Sequence, residues 1–174
     1  MKRIILALTF LLTMSTVASA QFAPSTENLR GLTGVRLIVM FHRADGLEEA
    51  QRPELLKVLE ADTTAKLQKA GIPMFHTADD MRNAGHPNLI VLVTLDKPNG
   101  YVYPIVTEVK LLQKVRLARD PSIETDAVTW SLDGVGGGPK LEIERIRRLV
   151  AEEIDRFIKD YQSVNPKQSP SSAP

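Results

Sequence analysis

Tyr101-Val102-Tyr103-Pro104-Ile105-Val106-Thr107-Glu108-Val109-Lys110-Leu111-Leu112-Gln113-Lys114-Val115-Arg116-Leu117 is the stretch that decides the fold. Tyr103, Ile105, Thr107, Val109, Leu111, Val115 and Leu117 fall on one face, and Glu108, Lys110, Lys114 and Arg116 on the other. That two-residue period is the pattern of a long strand with one face on a core and one facing water or a partner. Immediately upstream, Lys97-Pro98-Asn99-Gly100 is turn chemistry, because proline presets one turn position and Asn-Gly accepts positive φ. Asn88 to Asp96 alternates Leu89, Val91, Val93 and Leu95 with Ile90, Leu92 and Thr94, a second strand apolar on both faces. Downstream, Thr125 to Leu132 supplies a third, with Val128, Trp130 and Leu132 expected in phase. The three make an antiparallel meander.

Outward from this centre, Gly134 to Pro139 reads as a glycine-rich loop into a helix from Leu141 to about Val164, its stripe being Ile143, Ile146, Val150, Ile154, Phe157 and Tyr161. On the amino-terminal side, Gly34 to His42 reads as an inner strand closed by Asp45-Gly46. Pro53 then suits the first turn of a helix carrying Leu56, Leu59, Thr63, Leu67 and Ala70, with Gly71 as its left-handed stop. Pro73 to Thr77 is a short strand candidate, so a parallel β-helix-β crossover is expected. The whole is an α+β two-layer sandwich in the order β-α-β-β-β-β-α, a mixed sheet of four to five strands with two helices on one face.

Length and composition agree with one such domain. The chain has 174 residues, 43% apolar and 25% charged, with a formal charge of +1 and no cysteine. Disorder and a disulfide scaffold are both excluded by that composition, and nothing in it pulls the chain toward nucleic acid. Lys2 and Arg3, an apolar Ile4 to Leu12 and Ala18-Ser19-Ala20 read as a secretory signal peptide over residues 1–20, cut near Ala20-Gln21. Its apolar run is too short and too broken for a stable membrane span, and without cysteine no lipid anchor can be attached. The expected layout is a flexible segment over 21–28, one domain over 29–164 and a disordered tail over 165–174. Periplasmic or secreted localisation follows.

Candidate chemistry is sparse. The absence of cysteine removes thiolate nucleophiles and thiolate metal sites. No GxSxG elbow occurs, and Ser131 is the one serine in an expected strand. His76, Asp79 and His86 lie close enough in sequence to draw a metal site, which would make the protein a small metal-assisted hydrolase; the plainer reading is an aspartate capping a turn and a histidine before Pro87. Paired carboxylates at Glu48-Glu49, Asp79-Asp80 and Glu152-Glu153 read as solvated surface with no raised pKa. The Gly134–Gly138 run precedes a helix amino terminus but lacks the Lys-Ser/Thr ending of a phosphate-binding loop. Lys110, Lys114 and Arg116, extended by Arg119, would put a positive stripe on the open sheet face, suited to an envelope protein, an anionic lipid or a cell-wall polymer.

Leu29-Arg30-Gly31-Leu32 with the run to Phe41, Ala70-Gly71-Ile72, Gln113 to Arg119 and Thr129-Trp130-Ser131 resemble small exported bacterial α+β proteins, over about Leu29 to Pro166. That resemblance implies a fold and an export route and carries over no catalytic residue. The element order is also similar to periplasmic accessory domains such as LptE and the amino-terminal domain of TolB, which implies binding to other envelope components. The reading that results is an exported, non-catalytic binding or accessory module without a cofactor. A structural subunit that pairs with its own copies through a sheet edge is the third class considered.

Overall fold

The computed structural model describes residues 25–78, 82, 85–98 and 100–166. A single 3-10 turn, Thr26–Leu29, is followed by β1 (Arg36–Ala44), α1 (Gln51–Lys69), β2 (Asn88–Leu95), β3 (Tyr103–Leu117), β4 (Asp120–Gly138) and α2 (Ile143–Val164). The strands form one sheet in the order β1-β2-β3-β4, with β1 parallel to β2 and the remaining pairs antiparallel. Both helices cover the same face, so the chain is the two-layer α+β fold with a mixed sheet that the hydrophobic pattern dictates.

The core follows from the alternation. Leu89, Val91, Val93 and Leu95 of β2 and Ile105, Val109 and Leu111 of β3 are fully buried. They pack against Leu55, Leu59 and Leu67 of α1 and Ile146, Val150, Ile154 and Phe157 of α2. Each such side chain stabilises the fold by roughly 1.5–3 kcal/mol relative to exposure. Trp130 meets Phe157 edge-on, ring centroids 5.1 Å apart, and its indole N–H donates to Asp160 Oδ2 at 3.2 Å. Gly71, at φ 77°, ends α1 as its position after Ala70 requires.

Four local readings change. The Pro73–Thr77 candidate is reduced to an isolated parallel bridge between Val35 and Met74, because Pro73 has no N–H to donate; the crossover from β1 therefore lands on β2. The buried stripe of α1 runs through Leu55 rather than Leu56, in steps of four to Leu59, Thr63 and Leu67. The Gly134–Gly138 run is strand, not loop: it pairs with Thr107 back to Tyr103. The glycines let α2 lie close against the strand: a Cβ on Gly136 would come within 2.7 Å of Leu149 Cδ1. Finally, β4 begins at Asp120 and carries a bulge at Thr129, so that Trp130 opposes Leu111 while Val128 opposes Leu112. The extra residue reverses the phase, and Val128 is 52% exposed where Trp130 is 1%.

The amino-terminal turn is tied to the end of α2. Asn165 Oδ1 accepts from Gly31 N–H at 2.7 Å, and its Nδ2 donates to Leu29 O at 2.7 Å. Tyr161 O–H donates to Leu32 O at 3.1 Å, and Asn28 Nδ2 to Thr129 O at 2.6 Å. Leu29 is thereby held fully buried.

Candidate functional site

The face of the sheet opposite the helices presents its side chains in rows fixed by the register. One row runs Met40, Leu92, Glu108, Asp133, and the next Ile38, Ile90, Lys110, Ser131. Ile38, Met40, Ile90 and Leu92 thus form an apolar quartet on β1 and β2, partly exposed, with Met40 at 44%. Beside it on β3 stands the Glu108–Lys110 ion pair, 2.6 Å across.

Beyond the Asn88–Leu112 pair, where β2 begins, β3 and β4 continue as a two-stranded ribbon to a two-residue turn at Ala118-Arg119. The cations expected on this face do point the same way, as the strand period requires. Each, however, meets a carboxylate: Lys114 reaches Asp126 at 3.3 Å and Arg116 reaches Glu124 at 2.9 Å from the facing strand, while Lys110 holds Glu108. The expected stripe is a ladder of ion pairs with little net charge. Exposed pairs of this kind are worth about 0–1 kcal/mol each, so they set register and partner choice more than stability. Arg119 sits in the exposed turn. The ladder was hidden in sequence because β4 was expected to start at Thr125, which leaves Glu124 unassigned and Asp126 without a facing residue.

His76 and His86 line one cavity of about 510 Å³ with Arg36, Ala78 and Arg82. Asp79 lies outside the described residues. Two guanidiniums beside the two imidazoles make a wall less suited to a divalent cation than a carboxylate cluster, and among the described residues no three His, Asp or Glu side chains are placed to hold a metal ion.

One acidic residue overturns the expectation that the paired carboxylates are all solvated. Glu153, on the buried stripe of α2 between Val150 and Phe157, is 4% exposed. Its Oε1 accepts from Thr107 Oγ1 at 2.7 Å, and its Oε2 is buried without a hydrogen-bond partner among the described residues. Burial pushes the carboxyl up to about 7, against the opposing Thr107 hydrogen bond, and the charges of Asp133, Glu108 and Glu152 add to the rise. The strand opposite has Gly134, where any Cβ would collide with the Glu153 carboxyl and stand 2.7 Å from Thr107 Oγ1. Helical spacing carried the signal: Glu153 follows Val150 by three and precedes Phe157 by four, a core position, and only its charge argued otherwise.

No protein-family model matches the sequence, and no curated protein matches it. Among solved structures, the chain is similar to the PelC dodecamer from Paraburkholderia phytofirmans in two crystal forms. Identities are 18% and 15%, over 70% and 75% of this chain and 87% of that chain in both, at TM-scores of 0.39 and 0.37. It is also similar to a neuraminyllactose-binding hemagglutinin homologue from Helicobacter pylori, at 10% identity over 79% of this chain and 86% of that one, TM-score 0.27.

Proposed function

We propose that the protein is an exported, non-catalytic binding or accessory module of the bacterial cell envelope, and that it engages a partner protein through the open sheet face and the β3–β4 ribbon. The observation that carries this reading is a sheet covered, among the described residues, by helices on one face only, whose other face sets an apolar quartet beside a ladder of matched charges. An apolar centre with a polar, internally paired rim is the composition of a protein interface. Because Lys110, Lys114 and Arg116 are each matched by a carboxylate, an anionic lipid or an acidic polymer would find little uncompensated positive charge there. Among the described residues no helix is long and apolar enough to cross a membrane. Export rests on residues 1–20, outside the described residues, and on the resemblance to small exported α+β proteins; sequencing the amino terminus of protein recovered from outside the cytoplasm is expected to begin at Gln21.

A photo-crosslinking side chain at position 40 or 128 is expected to give one discrete adduct in cells, and none when it is placed at Lys57 on the outer side of α1. Met40→Asp combined with Leu92→Asp should abolish the adduct at position 128, and Lys110→Glu with Lys114→Glu should weaken it. Unchanged capture after both pairs of substitutions would show that the open face does not bind the partner.

A further inference from the structure

A second feature lies on the other side of the sheet. Where α2 crosses the edge strand β4, a cavity of about 490 Å³ opens, walled by Leu132, Leu149 and Glu152 with Gly134 and Glu153, and bordered at the sheet edge by Asp133 of the open-face row. Glu153 is the only fully buried side chain in that lining. Its Oε2 has no donor among the described residues, and the acidic charges of Glu108 on β3, Asp133 on β4 and Glu152 on α2 all strengthen its hold on a proton. The remaining lining charges are already engaged or stand at the lip: Asp155 pairs with Lys66 of α1 at 2.6 Å, Arg156 pairs with Asp160 at 3.2 Å, and Lys159 is exposed.

We infer that this cavity between β4 and α2 binds a primary ammonium group on an aliphatic stem, with Glu153 as its counter-ion and Leu132 and Leu149 as the walls for the stem. A buried acceptor without a donor is costly, and the acidic charges of Glu108, Asp133 and Glu152 favour a donor that is also a cation. A metal ion is the poorer occupant, since the described residues offer no three-ligand set. Gly134 makes the site possible by leaving the space into which the carboxylate projects. The same chemistry is carried by a free alkylamine and by a lysine side chain of another protein.

Binding should be linked to the ionisation of Glu153, because only the carboxylate can pair with the cation. With that group titrating near 7, affinity is expected to rise about tenfold between pH 6 and pH 8, a range in which an alkylamine stays protonated. The test is calorimetric and NMR titration of the full mature chain with pentylammonium and with Nα-acetyl-lysine amide, using pentanol as the uncharged control. Saturable binding of either amine, at least a tenfold loss in Glu153→Gln and a smaller loss in Asp133→Asn are the expected results. Tighter binding of the lysine derivative would assign the site to a partner's lysine, and tighter binding of pentylammonium to a free amine. Equal affinity in the wild type and Glu153→Gln, affinity independent of pH, or pentanol binding as well as the amine would overturn the inference. Should Glu153→Gln fail to fold, an unchanged affinity in Asp133→Asn together with a flat pH profile would overturn it equally.

Discussion

Replacing Glu153 by Gln should make the protein more stable, and increasingly so as pH rises. The carboxyl has an ordinary value of 4.5 and is pushed up to about 7 in the folded chain. The folded state therefore keeps a proton that the unfolded chain has already released, and stability falls as pH climbs through that interval. At about 1.4 kcal/mol per pH unit, the full penalty is on the order of 3 kcal/mol, fully developed above pH 8 and absent below pH 4. About 2.5 kcal/mol of it falls between pH 5 and pH 9. This window also avoids the acid limb set by carboxylates held below their usual range, Glu27 beside Arg30 and Asp120 beside Ser122. Gln keeps an acceptor for Thr107 Oγ1 and never ionises. The assay is urea unfolding followed by the fluorescence of Trp130, the chain's one tryptophan, at half-unit pH steps for both proteins. The wild type should lose about 2.5 kcal/mol more than Glu153→Gln from pH 5 to pH 9, or roughly 5–10 °C in Tm for a domain of this size. Parallel profiles for the two proteins would refute the reasoning, because they would mean that the buried carboxyl titrates normally.

Gly134→Ala should destabilise by about 1–3 kcal/mol by overpacking, and NMR should show the Glu153 side chain displaced from Thr107. Trp130→Phe keeps the ring packing on Phe157 but removes the donor to Asp160, so a loss of about 1–2 kcal/mol is expected in thermal unfolding. Asn165→Ala cuts the tie between α2 and the amino-terminal turn; about 1–3 kcal/mol should be lost, with amide exchange accelerating at Gly31 and its neighbours before the rest of the domain.

Much of the fold was legible because it is written in local periodicity. The alternation from Tyr103 to Leu117 and the stripe of Ile146, Val150, Ile154 and Phe157 each need only a few neighbouring residues to be read; the stripe is buried, and the strand face is buried from Ile105 to Leu111, with Tyr103, Val115 and Leu117 half-buried. The left-handed stop at Gly71 was equally local. What stayed hidden lies between segments. The Gly134–Gly138 run carries loop composition, yet it is strand because Leu149 and Glu153 of α2 press on it and leave no room for side chains. The pairing of Lys114 with Asp126 and of Arg116 with Glu124 depends on a register set by a two-residue turn and a bulge over residues 121–123 that follows it.

The sequence by itself determined that this chain would form one α+β layer pair, which faces of β2 and of the centre of β3 meet the helices, and that no cysteine chemistry is available. It did so because side-chain direction along a strand or helix is a property of the backbone repeat. Only the tertiary structure decided the charge of the open face and the state of Glu153. Both depend on what stands opposite: a carboxylate across the ladder turns a positive stripe into ion pairs, and a glycine facing α2 leaves the space in which a carboxyl is buried. Proximity across the sheet and desolvation beneath it are consequences of packing, which no local repeat encodes.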